Sequence, residues 1–84
     1  MNQSWARMHS VGPVDDRKQI GTRAHWNGME YISEVEGLPD VVFHGETAEQ
    51  DAKANADEAV NQQYPHDCGP YTCGEWRPFA NREA

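Results

Sequence analysis

The sequence lacks the features that would place it in a membrane or in the secretory pathway. No apolar run approaches the roughly 20 residues that a membrane-spanning helix requires, and the mean hydropathy is −0.93. The first ten residues, MNQSWARMHS, do not show the basic and then apolar layout of a secretory signal. We therefore expect a soluble, cytoplasmic protein, and its 84 residues leave room for one domain.

Basic residues are scarce, and one long stretch has none. The chain contains 7 Lys and Arg against 14 Asp and Glu, for a net charge of −7. Between Arg23 and Lys53 there is no Lys or Arg, whereas the same interval holds seven acids: Glu30, Glu34, Glu36, Asp40, Glu46, Glu49 and Asp51. Such a field repels nucleic-acid phosphates and attracts basic proteins. We expect these seven residues to bind a basic protein partner, and no direct binding of nucleic acid or membrane. The plainer interpretation is that the acids only keep a small protein soluble.

Signatures of catalysis are also missing. No nucleophile motif is present, and His66 lies too near Cys68 in sequence to indicate a catalytic dyad. Glu30, Glu34 and Glu36 would share one strand face, but at strand rise they spread over roughly 20 Å. That spacing suits a charged stripe better than a metal pocket, so we expect no enzyme, no catalytic residue and no cofactor.

The chain divides into three parts. Residues 1–18 show no sustained period and are predicted to be a flexible leader; residues 19–80 form a single domain and residues 81–84 a tail. Asn27-Gly28 stands between two strand-like runs and predicts a type I′ hairpin. Alternation then predicts two strand faces, one carrying Ile20, Thr22, Ala24 and Trp26, the other Met29, Tyr31, Ser33 and Val35. The opposite face of the second strand carries Glu30, Ile32, Glu34 and Glu36.

A third strand and a helix follow the hairpin. The turn at residues 37–40 precedes VVFH, and Thr47 with Gln50 predicts a capping box that starts a helix at Ala48. An apolar stripe continues to Pro65 through Ala48, Ala52, Ala56, Ala59, Val60 and Tyr64. Trp76 and Phe79 are expected to close the core as an edge strand or tail. The predicted class is α+β, a three- to four-stranded antiparallel sheet in the order β-β-β-α-β with one helix packed across it.

The cysteine region, YPHDCGPYTCGEW, allows three states. A zinc site would use Cys68, Cys73, His66 or Asp67, and a fourth ligand such as His44 would have to be borrowed. A disulfide would close the Gly-Pro loop, but two reduced thiols suit a cytosolic chain better. We therefore assign no metal ligand.

The remaining histidines and the tryptophans have plainer interpretations. His9, His25 and His44 have no partner nearby in sequence and are expected to be satisfied or solvated. Trp26 and Trp76 are expected to fill the core beside the small alanines. Trp5, in the leader, is the tryptophan expected to be exposed, where it would serve as a contact anchor.

Eight positions between residues 20 and 60 match a known family pattern: Tyr31, Leu38, Pro39, Gly45, Thr47, Asn55, Glu58 and Ala59. With them, this part of the chain resembles the N-terminal domain of HicB-type antitoxins. The chain departs from the family at Asp40, where a glycine is usual, and its last 20 residues show no operator-binding motif. The resemblance implies a partial ribonuclease-H-like fold without catalysis that neutralises a small, basic, RNA-cleaving toxin. A stand-alone acidic version also resembles the small inhibitors that phages use against host defence, including anti-CRISPR proteins.

The charge and the resemblance together predict a stoichiometric inhibitor. It would bind a basic, nucleic-acid-processing protein, either a toxin or a defence nuclease, through an acidic face that mimics nucleic acid. Two alternatives stay open at this point. One is a small metal-binding or redox module built on Cys68 and Cys73. The other is a dimerisation module in which the third or the last strand pairs with its own copy.

Overall fold

The chain forms an antiparallel sheet of five strands with one helix packed across it. The structure, a computed structural model, describes residues 2–66 and 73–79. Along the sheet the strands follow the order β4-β3-β2-β1-β5. The elements are β1 (Ser4–Val11), β2 (Lys18–Trp26), β3 (Tyr31–Val35), β4 (Val41–Phe43), α1 (Ala48–Gln63) and β5 (Arg77–Phe79). The predicted α+β class is confirmed, with five strands where three to four were expected.

The extra strand lies where a flexible leader was predicted, so that prediction is wrong. β1 pairs along its length with β2, from Trp5 opposite Ala24 to Val11 opposite Lys18. On its other edge it pairs with β5. β1 is therefore an inner strand, and the ordered domain begins before residue 19. The sequence did not indicate this strand, because Arg7 and His9 occupy inward positions where an amphipathic strand normally carries apolar residues.

The hairpin between β2 and β3 has the predicted faces but a different turn. Thr22, Ala24, Tyr31, Ser33 and Val35 are all buried, on the face that the alternation predicted. The turn closes with the Asn27 N–H donating to the Glu30 carbonyl at 3.1 Å, so its central residues are Gly28 and Met29.

A type I′ turn needs a positive φ at both central residues. Gly28 has a φ of 103°, but no non-glycine residue in the described ranges has a positive φ. The predicted type I′ turn on Asn27-Gly28 is therefore wrong. The Asn27 side chain closes the turn instead, because its Oδ1 accepts hydrogen bonds from the backbone N–H groups of Met29 and Glu30.

The helix α1 begins at Ala48 as predicted, but the predicted capping box is absent. Thr47 makes no side-chain cap hydrogen bond. Its Oγ1 donates instead to Asp51 Oδ2 at 2.9 Å. Its hydrogen bond thus goes to a carboxylate one turn ahead, and the reciprocal bonds predicted between Thr47 and Gln50 are not formed. No helix in the described part of the chain has the length and apolar composition needed to cross a membrane.

Alanines form the contact between the helix and the sheet. Ala48, Ala52, Ala56 and Val60 are the buried residues of α1, as the predicted stripe required. They pack in two clusters, one around Val11 and Val35 and the other around Ala24 and Tyr31, which share the partly buried Trp76. Because alanine side chains are short, the helix lies close to the strands and leaves the larger rings at the margins.

The three tryptophans pack around this contact. Trp26 and Trp76 lie against the core, as expected. Trp5 was expected to be exposed, and that prediction is wrong: its ring is partly buried against the cluster around Ala24, and the Lys53 ammonium lies 3.9 Å from the ring centroid. The reason is the strand pairing of β1, which turns Trp5 towards α1.

The closeness of this contact yields a stability prediction. Ala52 has no exposed surface, so Ala52→Leu should overpack the helix–sheet contact and lower the free energy of unfolding by about 1–3 kcal/mol. Ala54 is exposed on the same helix, and Ala54→Leu should change stability by no more than about 0.5 kcal/mol. Urea unfolding of both variants measures the difference. Equal midpoints for the two variants would contradict the close approach of helix and sheet.

Candidate functional site

The seven acidic residues of the predicted binding surface do not form one face. Glu34, Glu36 and Asp40 line a depression of about 780 Å³ on the side of the sheet that the helix leaves uncovered. Glu30, Glu46 and Glu49 line a second depression, of about 370 Å³. Asp51 lines neither of the two and is engaged by Thr47. The single continuous block read from the sequence is thus divided between two sides of the molecule.

The larger depression, on the sheet face, is of mixed charge. Arg23 and Arg77 line it together with the acids, and Arg23 lies directly opposite Glu34 across the β2–β3 pair. Glu34 Oε2 is also 3.2 Å from His25 Nδ1. Opposite charges in cross-strand positions offset each other, so this face presents a balanced surface rather than an acidic one.

The smaller depression keeps the acidic character that the sequence predicts. Glu30, Glu46 and Glu49 form what we call the acidic pole; they come from the end of the hairpin turn, the loop after β4 and the first turn of α1. No Lys or Arg belongs to the lining formed by the described residues. The full lining is Asn2, Trp26, Met29, Glu30, Tyr31, Phe43, His44, Gly45, Glu46, Ala48 and Glu49.

Local geometry brings the acidic pole together. Gly45, with a φ of 95°, reverses the chain between β4 and the helix, a conformation that favours glycine. The Ala48 N–H donates to the Gly45 carbonyl at 3.3 Å. This reversal places Glu46 and Glu49 on either side of the helix start, next to Tyr31 at the start of β3.

Two of the three carboxylates are held in place by neighbouring side chains. Glu30 Oε2 lies 3.1 Å from His44 Nε2, and Glu30 Oε1 accepts a hydrogen bond from the Asn27 side-chain amide at 3.3 Å. The Tyr31 hydroxyl lies 2.8 Å from Glu49 Oε2 and 2.8 Å from the Gln3 carbonyl. These contacts fix the carboxylates before any partner arrives.

Tyr31 is a permanent donor at neutral pH. Burial, together with the hydrogen bond to Glu49 and its negative charge, raises the pKa of Tyr31 from 10.0 to about 12. The neutral hydroxyl therefore keeps donating, and Glu49 stays oriented. The Trp26 and Tyr31 rings, which line the same depression, contact each other at a tilt of 51° with their centroids 5.1 Å apart.

Carboxylates above aromatic rings make a site for a cationic side chain. A Lys or Arg that enters the depression can pair with Glu30, Glu46 or Glu49 while its stem lies on the rings, and aromatic faces attract cations as well. The sequence showed the three acids but not the aromatic lining, because Trp26 and Phe43 come from strands that pairing brings to the same end of the sheet.

The residues weighed as zinc ligands in the sequence are only partly brought together. Cys73 and His66 do lie together, but their companion is His9 from β1, and one ligand atom from each of the three lies within 4.8 Å of the other two. His44, the fourth ligand that a zinc site would have had to borrow, is 73% exposed in its side chain, contacts Glu30 and is not part of this cluster. Asp67 and Cys68 fall outside the described residues.

The three histidines without a sequence partner all have one in space. The ring nitrogens of His25 and His44 contact the carboxylates of Glu34 and Glu30, as described above, which confirms the expectation of satisfied side chains. His9 is fully buried and contacts Cys73 and Asp57. No sequence signal pointed to His9, because its partners come from the helix and from the chain beyond it.

Comparison with protein-family models, with curated proteins and with solved structures finds no match to this chain.

The Tyr31–Glu49 contact predicts a pH-dependent contribution to stability. Folding raises the pKa of Tyr31 to about 12, so the folded state holds the phenolic proton more tightly than the unfolded chain does. The stabilisation is complete below about pH 10 and is lost as the pH rises towards about 12. Tyr31→Phe should lower the free energy of unfolding by about 1 kcal/mol at neutral pH, because it removes the hydroxyl that donates to Glu49.

Urea unfolding of the natural chain and of Tyr31→Phe, measured in steps between about pH 8 and about pH 12, tests this contribution. The stability difference between the two should narrow across the upper part of the range. A stability difference that stays constant to the highest pH would show that folding does not raise the pKa of Tyr31.

Proposed function

We propose that this chain is a non-catalytic inhibitor that acts in the cytoplasm by binding a basic, nucleic-acid-processing protein through its acidic pole. Bound there, it blocks the access of nucleic acid to that protein. One observation carries the proposal: the depression lined by Glu30, Glu46 and Glu49 contains aromatic rings and no Lys or Arg in its described lining.

The charge of the pole supports recognition of a basic surface. Proteins that process nucleic acids present Lys and Arg where phosphates bind, and a cluster of carboxylates occupies the same positions by mimicking phosphate charge. Complementary charges of this kind raise association rates more than they raise final affinity. Binding should therefore be fast and sensitive to salt.

The rigidity of the pole supports specific rather than diffuse attraction. Glu30 is held by His44 and Asn27, and Glu49 by Tyr31. Carboxylates that are already oriented lose less conformational entropy on binding than mobile ones do. The burial of Tyr31 places the donor that orients Glu49 inside the core, so the fold itself supports the site.

The resemblance to HicB-type antitoxins is consistent with this proposal. Leu38, Pro39, Gly45 and Thr47, on which the resemblance rests, lead from the hairpin into the helix and so bring Glu46 and Glu49 to the pole. The acidic pole would suit either of two partners with a basic nucleic-acid-binding surface. One is a ribonuclease toxin, and the other is a host defence nuclease of the kind that phage inhibitors block.

Self-pairing of edge strands is the less favoured alternative. β4 and β5, at the two edges of the sheet, have three residues each. β5 contains Pro78, which has no N–H to donate. Short edges and edge prolines are devices that limit strand-to-strand association, so we favour a different protein as the partner.

Charge reversal at the pole tests the proposal. The double variant Glu30→Lys/Glu46→Lys leaves the Tyr31–Glu49 contact intact and should retain the fold by circular dichroism. The control, Asp15→Lys/Asp16→Lys, makes the same change in net charge in the exposed loop between β1 and β2. Purified small basic ribonucleases and RNA-guided defence nucleases serve as the candidate partners in surface plasmon resonance.

At least one of these candidates should bind the natural chain and the loop control alike. The pole variant should associate about tenfold more slowly or worse, and about 0.5 M salt should weaken binding of the natural chain because it screens exposed charges. Excess natural chain should also prevent the bound nuclease from cleaving its substrate. Equal binding by the pole variant, or full cleavage in the saturated complex, would refute the proposal.

A further inference from the structure

We propose that His9, His66 and Cys73 form a binding site for Zn²⁺ or a divalent transition-metal ion with similar ligand preferences. One ligand atom from each side chain lies within 4.8 Å of the other two, and Cys73 Sγ lies 3.3 Å from His9 Nδ1. A tetrahedral zinc ion, bonded at about 2.0 Å to nitrogen and 2.3 Å to sulfur, holds such atoms roughly 3.3–3.6 Å apart. The pair of His9 and Cys73 already has this spacing.

The surroundings of His9 turn its Nδ1 towards the site. Its other ring nitrogen, Nε2, lies 3.2 Å from Asp57 Oδ1, at ion-pair distance although not aligned for a straight hydrogen bond. A carboxylate favours a proton on the nitrogen that faces it, which leaves the lone pair of the ring on Nδ1. A carboxylate behind the ring is the arrangement that supports metal-binding histidines.

Asp57 is itself held by a cation. The Arg7 guanidinium donates to Asp57 Oδ2 at 3.0 Å and to the Gly74 carbonyl at 2.7 Å. Arg7 therefore connects the carboxylate behind His9 to the residue that follows Cys73. The side chains around the cluster are linked to one another, so the ligands are supported from β1, from α1 and from the chain beyond residue 73.

The surroundings of His66 set its tautomer in the same way. His66 Nδ1 contacts the Tyr64 carbonyl, which can only accept, so this nitrogen carries the proton and the lone pair lies on Nε2. The His66 backbone N–H donates to Asn61 Oδ1 at 2.8 Å, which fixes the residue to the end of α1. A backbone carbonyl behind a histidine ring is the second common support for a metal ligand.

The donor set selects the class of ion. One thiolate and two imidazoles suit Zn²⁺, and suit Mg²⁺ or Ca²⁺ poorly, because those ions prefer oxygen ligands. Three protein ligands occupy three corners of a tetrahedron, and the fourth corner is available for water or a further donor. His9 is fully buried and Cys73 is 5% exposed, so most of the site is shielded from solvent.

A metal ion bound at this site would connect β1 to the residues that follow α1 and to those that precede β5. His9 belongs to β1, His66 follows α1, and Cys73 forms an isolated bridge with His9 just before β5. A bound ion would join these three segments, and binding to the folded state alone raises its stability. This role is independent of the acidic pole, so the two proposals can fail separately.

Cobalt titration tests the site, because Co²⁺ takes tetrahedral zinc sites and its bond to a thiolate gives a charge-transfer absorption. The reduced full chain, kept in a phosphine reductant, is titrated with Co²⁺ and then with Zn²⁺. We expect one equivalent of Co²⁺, a thiolate charge-transfer band, displacement by Zn²⁺ and a higher melting temperature with either ion.

Variants assign the ligands. Cys73→Ser should abolish the charge-transfer band, while Cys68→Ser should keep it; a band that follows Cys68 instead would overturn the assignment. His66→Ala should weaken Zn²⁺ binding by more than about tenfold, whereas His44→Ala, which changes an exposed histidine outside the cluster, should leave it unchanged. Equal affinity in those two variants would also overturn the assignment.

Asp57→Asn provides a further measurement that does not remove a ligand. It keeps the shape of the side chain behind His9 and should weaken Zn²⁺ binding by about 10- to 100-fold. Circular dichroism of each metal-free variant checks that the fold survives. A natural chain that binds neither ion under reducing conditions would refute the proposal.

Discussion

The close packing of an alanine stripe on one face of a twisted sheet is the contact on which the rest of this structure depends. Ala48, Ala52 and Ala56 leave little side-chain volume between helix and strands, so the core is thin and the large rings lie at its margins. The position of the helix also brings Glu49 to the Tyr31 hydroxyl and Asp57 to His9. Both candidate sites therefore follow from the same contact, one at the start of the helix and one beside its later turns.

Residue patterns within single strands and the helix correctly predicted the parts of the fold that depend on neighbouring residues in sequence. Alternation identified the buried faces of β2 and β3, and the spacing of alanines identified α1 and its first residue. β1 escaped because its inward positions include Arg7 and His9, whose burial is acceptable only beside Asp57 and Cys73, far away in sequence. The turn and the helix cap were misjudged for a related reason, since Asn27 and Thr47 used their side chains in other hydrogen bonds.

The candidate site was predictable as charge but not as a surface. The interval without Lys or Arg correctly indicated where acids concentrate, yet strand pairing places Arg23 opposite Glu34. Among the described residues, the depression at the hairpin end has no Lys or Arg in its lining. That the pole binds a partner stays a prediction. The cluster around Cys73 was likewise not visible in the sequence. Sequence spacing suggested Cys68 and His44 as its neighbours, whereas the structure places His9 of β1 beside Cys73.

The pairing of β1 with β5 joins residues near the two ends of the described chain, with Ser4 opposite Phe79. During synthesis, one edge of β1 stays unpaired until β5, the last strand of the described residues, has left the ribosome. Contacts between such distant residues slow folding, and an unpaired inner strand is an edge to which other chains can add. Pairing of β5 with β1 therefore covers an exposed strand edge, and we expect a delay in this pairing to favour aggregation of the nascent protein.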